Sequence, residues 1–304
     1  MFEKNVKIKL IKSLKRIQYG ELFLTTPEGE LLHFKGSHEG IVADIQLNDW
    51  RVIVNLMIKG DIGFAEDYRD GYFNTKNLTR LLLFGLYNED CLSAYMKGNF
   101  FYNLIAKLGY LTQRNTVKQS KKNIHAHYDL GNEFYSLWLD ESMTYSSGIY
   151  HQKMILCLNA QHQKYQRILN KISNTQGSIL EIGCGWGAFI EKAMQFGEYR
   201  VKGITLSEQQ KNYAQKRLKK YSDNIEIALE DYRHQKEKYD IIVSIEMLEA
   251  VGQKYWPIYF KTIKRLLKPN GKALIQSIII DDKLFKNYCR GTDVIRTHIF
   301  PGGM

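Results

Sequence analysis

The sequence predicts an α/β fold built on a doubly wound parallel sheet, preceded by a small α+β domain. Three observations predict it. From residue 177 onward, short apolar runs alternate with helical apolar spacing, as strands and crossover helices of a parallel sheet do. The first of these runs ends in Glu181-Ile182-Gly183-Cys184-Gly185-Trp186-Gly187, so three glycines, two apart, sit on a strand-to-helix turn. Before residue 108 the runs are shorter, with hairpin and helix signals mixed.

Residues 2–19 carry Lys4, Lys7, Lys9, Lys12, Lys15 and Arg16, with Val6, Leu10, Leu14 and Ile17 at helical spacing. This is a basic amphipathic helix. It suits either a membrane surface or packing on its own domain. Residues 21–34 read as a hairpin around Thr26-Pro27-Glu28-Gly29. Residues 41–47 and 51–56 are strand-like or mixed, and residues 63–86 are helix and loop. A domain over 1–107 follows. Residues 108–122 are polar and basic and read as a linker, and residues 123–304 form the second domain.

In that second domain the pattern gives strand 177–182, helix 188–196, strand 199–204, helix 207–220 and strand 225–229. Strand 239–245, helix 253–267 and strand 272–280 follow, after a turn at Lys268-Pro269-Asn270-Gly271. The five strands are expected in the order 3-2-1-4-5.

Composition bounds the function. With 304 residues, 44% hydrophobic and 25% charged, the chain is globular and large enough for two domains. No apolar run reaches the roughly 18 residues of a membrane helix. The first residues form no secretory leader. Four dispersed cysteines, with no C-x-x-C pair, argue against a disulfide framework or zinc site and for a reducing cytoplasm. A net charge of +11 calls for a polyanionic surface, nucleic acid or anionic phospholipid.

Glycines at a strand-to-helix turn let a ligand approach the backbone closely. Glu181 places a carboxylate at the carboxyl end of the first strand, where open α/β sheets bind ligands. S-adenosylmethionine, with an ammonium group and ribose hydroxyls that need acceptors, is the ligand inferred. Gly183, Gly185 and Ala188 also fit the dinucleotide turn G-x-G-x-x-A, but no acid closes the next strand; Glu208 lies in the following helix. A plain structural turn is the third reading.

Other candidates lie nearby. His125 and His127 are two apart, without the further ligands of a metal site. Phe134, Tyr135, Trp138, Tyr145 and Tyr150 form an aromatic stretch that serves a core, an apolar pocket or a cation. Glu246 and Glu249, three apart after the fourth strand, would share a helical face. Asp231-Tyr232-Arg233 follows the third strand, where acceptors would meet an adenine.

From residue 123 onward the chain resembles the cyclopropane fatty-acid synthases and related lipid methyltransferases. The matching pieces are His127-Tyr128-Asp129-Leu130-Gly131-Asn132, Thr144-Tyr145-Ser146-Ser147, the segment 181–187, Gly203-Ile204-Thr205-Leu206-Ser207, Asp231-Tyr232-Arg233 and Ile299-Phe300-Pro301-Gly302-Gly303. The resemblance implies the class I methyltransferase fold. It also implies methyl transfer from S-adenosylmethionine to a cis double bond of a phospholipid acyl chain. Tyr145, Ser146, Glu181, Gly183, Cys184, Gly185, Trp186, Gly187, Thr205, Leu206, Gln210, Asp231, Tyr232 and Arg233 are the donor-site residues expected.

In the family a bound bicarbonate removes the proton. The matching catalytic positions are Glu249, Ser147 and Gln276, the last two where the family carries cysteine and histidine. The product is a cyclopropane, or a methylene that a separate reductase partner turns into a methyl branch. The resemblance further implies a cytoplasmic enzyme, peripheral at the inner face of the membrane and paired as a homodimer, with no nucleic-acid partner. Where the family continues with further strands this chain stops, so an incomplete sheet and impaired catalysis are expected. A methyltransferase for another small molecule and a non-catalytic cofactor binder are the alternatives.

Overall fold

The computed structural model describes residues 2–96, 130–151, 156–291 and 293–300. The chain forms two compact units, one comprising Met1–Leu111 with Lys286–His298, the other Thr112–Phe285 with Ile299–Met304. The expected division at 1–107 and 123–304 is therefore modified: residues 286–298 join the first unit. There the Val294 N–H donates to Asp61 Oδ2 at 3.1 Å, and His298 Nε2 lies 3.5 Å from Glu66 Oε1. The expected linker 108–122 lies outside the described residues.

In the first unit, helix α1 (Phe2–Leu14) precedes β1 (Tyr19–Thr25), β2 (Leu31–Lys35) and β3 (His38–Leu47). β1 and β2 are the expected hairpin, antiparallel, with Gly29 at φ 87 in its turn. The sheet order is β2-β1-β3-β4, with β4 at Phe73–Asn74. Val6, Leu10, Leu14 and Ile17 of the basic first segment are all buried in this unit's core. Its apolar face is thus satisfied at home, the second of the two readings. Residues 51–56, strand-like or mixed in sequence, fold instead within helix α2 (Arg51–Lys59). Just before it, Asp49 Oδ1 accepts from the Arg51 N–H of the first turn at 2.7 Å, and Gly60, at φ 63, ends it. Helices α3 (Asp61–Arg69), α4 (Leu78–Tyr87) and α5 (Glu89–Met96) complete the unit's described helices before residue 97.

The second unit holds a five-stranded sheet of β5 (Gln176–Ile182), β6 (Glu198–Thr205), β7 (Ile225–Leu229), β8 (Tyr239–Ile245) and β9 (Leu267–Gln276). The order is β7-β6-β5-β8-β9, all parallel, which is the expected 3-2-1-4-5 arrangement. Helices α6 (Gly131–Ser136) and α7 (Cys157–Ile172) precede it. α8 (Ala188–Phe196), α9 (Glu208–Arg217), α10 (Leu248–Val251) and α11 (Trp256–Leu266) connect the strands, and α12 (Asp282–Arg290) begins in this unit and ends in the first. Apolar side chains fill both faces: Ile179, Phe189, Ile190 and Val243 in one core, Leu180, Ile182, Ile242 and Ile263 in the other. Alternation along β5 explains this, since successive side chains point to opposite faces.

The largest boundary differences from the sequence pattern are at the second crossover helix and the last strand. Residues 218–220 leave the expected helix for a 3-10 turn, Lys219–Asn224. The last strand was expected at 272–280. It pairs earlier: Tyr239 opposes Leu267, the register slips at the Lys268–Gly271 turn, and pairing resumes at Lys272 and ends at Gln276. Asn270 at φ 63 accommodates that slip. Residues 277–280 lie beyond the ladder, with Ile278 and Ile279 exposed.

Candidate active site

The glycine turn follows β5 directly. Gly183, Gly185 and Gly187 stand at φ 81, 51 and 85, a region that L side chains rarely adopt. The three are not equivalent. A Cβ on Gly187 would lie 3.0 Å from Leu218 and 3.2 Å from Ala214, and one on Gly183 would lie 3.1 Å from Met247. A Cβ on Gly185 would meet nothing within 4 Å. Gly183 and Gly187 are thus glycines for packing as well as φ, and Gly185 borders open space. The turn's amides are also largely engaged: Gly183 and Cys184 both donate to Ile204 O at 3.0 Å, and Gly187 donates to Cys184 O at 2.9 Å. The turn offers a ligand close approach more than a ring of donors. Cys184 is buried in the sheet core, and burial pushes its thiol well above the usual range.

Glu181 is 3% exposed, and its Oε2 is buried without a hydrogen-bond partner. Burial raises its pKa to about 8, and the nearby Lys164 charge offsets part of that. Lys164, on α7, is 1% exposed; burial pulls its amine down to about 8 against the attraction of Glu246 and Glu181. Its Nζ donates to the Ser146 hydroxyl at 2.6 Å, and Gln161 Nε2 donates to Ser146 O at 2.7 Å. A desolvated carboxylate with an unpaired oxygen fits the ammonium of S-adenosylmethionine. Together with the open space at Gly185, it makes these residues fit the donor.

The next two strands bring further expected residues to the same sheet edge. At the end of β6, Thr205 Oγ1 donates to Gln210 Oε1 at 2.7 Å and accepts from the Ser207 N–H at 3.1 Å. Ser207 then caps α9 by accepting from the Gln210 N–H at 3.2 Å. Leu206, between them, is half-buried. After β7, Asp231 accepts from Arg233 Nε at 2.8 Å and Nη2 at 2.5 Å, and from the Arg233 N–H at 2.9 Å. This carboxylate is therefore already paired. The Tyr232 ring packs edge-on to Tyr259 in the core, where burial raises its phenol to about 12.

An aromatic cluster lies beside the turn. Trp186 packs on Tyr135 with ring centroids 5.1 Å apart, and its indole N–H donates to Asn132 Oδ1 at 2.7 Å. Tyr145 lies 5.7 Å from Tyr135, 5.2 Å from Trp138 and 6.1 Å from Phe300, where it stacks. Burial first, then the charge of Glu246, raises the Tyr145 phenol. Leu130, Phe134, Leu137 and Trp138 around α6 are exposed, an apolar rim on this cluster. His125 and His127 lie outside the described residues.

The three expected catalytic positions are partly brought together, around a residue not expected among them. Glu246 Oε1 accepts from the Ser147 N–H at 2.9 Å and from Gln276 Nε2 at 2.8 Å. Gln276 Nε2 also lies 3.2 Å from Ser147 O, and the Glu246 N–H donates to Gln276 O at 2.9 Å. Glu249 stands apart from this triangle. Its Oε1 accepts from the Ser277 hydroxyl at 2.8 Å and from the Ile278 N–H, while Oε2 is buried and unpaired. Glu246 and Glu249 do not share a helical face, because Glu246 precedes α10 and stands at φ 48. That backbone costs about 1–3 kcal/mol for a non-glycine residue. A bicarbonate at this place would need donors that Glu246 already holds, so the residues present do not fit one. Sequence reasoning missed Lys164 as a member of the site, and it named Glu246 as a candidate beside Glu249 but gave the catalytic position to Glu249. Lys164 had a signal, a lysine four residues from Ala160 on the buried face of an amphipathic helix.

Residues 115–304 match the family model described as mycolic acid cyclopropane synthetase. Tuberculostearic acid methyltransferase UfaA1 of Mycobacterium tuberculosis is 33% identical over 255 residues, covering 81% of this chain and 59% of that protein. The cyclopropane-fatty-acyl-phospholipid synthase of Escherichia coli K12 is 31% identical, covering 78% of this chain and 61% of that one. The chain thus spans about three fifths of the length of these curated relatives. Among solved structures, mycolic acid cyclopropane synthase CmaA1 complexed with SAH and CTAB superimposes with a TM-score of 0.55 at 31% identity, over 60% of this chain and 68% of that one. Sheet order, glycine turn and family match agree, and the chain belongs to the mycolic acid cyclopropane synthetase family of S-adenosylmethionine-dependent methyltransferases.

Proposed function

We propose that this protein transfers a methyl-derived carbon from S-adenosylmethionine to the double bond of an unsaturated phospholipid acyl chain. The observation that carries this reading is the meeting of two sites at one sheet edge. The buried, unpaired Glu181 oxygen lies at the end of β5, and the Ser147–Glu246–Gln276 cluster joins the ends of β8 and β9. The aromatic cluster of Tyr135, Tyr145 and Trp186 stands beside them. The named relatives act on acyl lipids, which supports the substrate class.

When bound, S-adenosylmethionine supplies an electrophilic methyl group. Glu181 would hold its ammonium, and Gly185 would let it lie close to the backbone. The rings of Tyr145 and Trp186 present faces that stabilise positive charge developing on the acyl chain. The exposed apolar rim of Leu130, Phe134, Leu137 and Trp138 suits contact with an acyl chain. The product is a cyclopropane or, with a reductase partner, a methyl branch. The second reading, donor binding without lipid transfer, is separated by one experiment. The purified protein is incubated with S-adenosylmethionine and vesicles of unsaturated phospholipid, and the acyl chains are weighed by mass spectrometry. Chains one carbon heavier support the proposal; donor binding with unaltered chains refutes it.

Among the described residues no helix is long and apolar enough to cross a membrane. Access to phospholipid then calls for surface attachment. The exposed Lys9, Lys12, Lys15 and Arg16 are the groups proposed to meet anionic headgroups.

A further inference from the structure

Methylation of one double-bond carbon leaves a cationic acyl chain, and both products require that chain to lose a proton. Some base must take it. At two of the positions expected to hold an external anion, the Gln276 side-chain amide and the Ser147 main-chain N–H instead hold a side chain of the protein. Ser147 and Gln276 both donate to Glu246 Oε1, at 2.9 and 2.8 Å. The Glu246 N–H returns a bond to Gln276 O at 2.9 Å, so backbone and side chain are fixed against the same partner. The φ of 48 at Glu246 is a conformation that a glutamate keeps only where its surroundings hold it.

Resting on the function proposed above, we infer that Glu246 is the catalytic base, its carboxylate standing where a bicarbonate would otherwise be held. Among the described residues both donors engage Oε1, which leaves Oε2 to take the proton. Lys164 and Tyr145 are neighbours that feel its charge. In the step, a C–H bond of the added methyl group breaks and the proton passes to the carboxylate. For a cyclopropane, the C–H electron pair closes the ring onto the cationic carbon. For a methylene, hydride first shifts from the methyl-bearing carbon to the cationic one; the pair then becomes the exocyclic double bond. Glu246 ends as a neutral acid and returns its proton to water. No oxidant or reductant takes part.

The test compares the wild type with Glu246→Gln and Glu246→Gly. Glycine suits the left-handed backbone, so the second variant is expected to fold. Carbon-13 bicarbonate is titrated with each protein and its NMR line width followed, and turnover is measured in buffer stripped of carbon dioxide. The wild type should leave the bicarbonate line sharp and lose no activity on stripping. Glu246→Gly should broaden the line, and added bicarbonate should raise its turnover. Glu246→Gln should lose about 100-fold or more in turnover with donor affinity unchanged. Bicarbonate broadening by the wild type, or wild-type turnover in Glu246→Gln, overturns the inference. If the wild type alters no acyl chain, the functional reading fails, and the bicarbonate titration alone decides whether Glu246 occupies the anion position.

Discussion

Lys164 donates from Nζ to the Ser146 hydroxyl at 2.6 Å, across 18 residues of sequence and from a fully buried position on α7. This bond brings a buried amine to the sheet edge where the Glu181 and Glu246 carboxylates act on it. It links the donor pocket to the cluster proposed to remove the proton.

Lys164→Met should weaken donor binding in a pH-dependent way. Burial raises the pKa of Glu181 to about 8, and the Lys164 charge opposes that rise. Without the charge, Glu181 keeps its proton more firmly at pH 7. Donor affinity should fall there by about tenfold, the equivalent of one pKa unit. At pH 9 a larger share of Glu181 is ionised in both proteins and Lys164 has largely lost its charge in the wild type, so the loss should shrink. Titration calorimetry at both values checks this; equal losses at both would count against it.

Gly185→Ala and Gly187→Ala should separate binding from stability. Both carry the left-handed penalty, about 1–2 kcal/mol. Only Gly187→Ala also presses on Leu218 and Ala214. It should therefore show the larger fall in melting temperature. Gly185→Ala should fold with the smaller penalty and lose most donor binding, because its methyl enters open space. Thermal melts and donor titration of the two variants decide this, and the reverse ranking would contradict the assignment of Gly185 to the ligand.

Much of this was legible in sequence. The apolar runs at 177–182 and 239–245 are β5 and β8 almost residue for residue, because buried parallel strands are continuous in apolar character. The glycine turn marked the place proposed here for the donor. What was not legible depended on long-range contacts. Residues 51–56 read as ambiguous, since Val52, Ile53 and Leu56 suit either period, and Asp49 and Gly60 settled the helix. Glu246 and Glu249 looked alike three residues apart. Only the left-handed backbone at Glu246, and donors from residues 147 and 276, distinguish them. Gln276 itself ends β9 in a register that slips at Lys268–Gly271, which no local pattern announces.

Asp240 predicts an acid-sensitive element at the opposite end of the strands. It accepts from Lys268 Nζ at 2.8 Å, the Ser178 N–H at 2.8 Å and Ser178 Oγ at 2.7 Å, which lower its pKa to about 2. A folded pKa below the unfolded value of about 4 stabilises the protein above that value. The contribution is lost as pH falls from about 4 to about 2. The group is partly exposed, so screening keeps the effect modest. Asp240→Asn should lower the melting temperature at pH 7 and change it little near pH 2. Equal destabilisation at both pH values would show that the ionised form is not what matters.

The basic helix predicts salt-sensitive lipid binding. Deleting it would take Val6, Leu10 and Leu14 out of the core and uncover the residues they pack against, so substitution is the informative change. Lys9, Lys12 and Lys15 are exposed, and each contributes about 1 kcal/mol near an anionic surface. Their joint replacement by glutamate should release the protein from anionic vesicles in sedimentation at low salt, with the melting temperature nearly unchanged. Equal wild-type binding to neutral vesicles would exclude the electrostatic account.

At this site the transferred carbon is proposed to lose a proton. Donor carrying a fully deuterated methyl group, incubated with the protein and unsaturated phospholipid, tests it most directly. Mass spectrometry of the acyl chains should show that each added carbon has lost one of the methyl group's deuterium atoms, in either product. Acyl chains that keep all of the methyl deuterium would contradict deprotonation of that carbon.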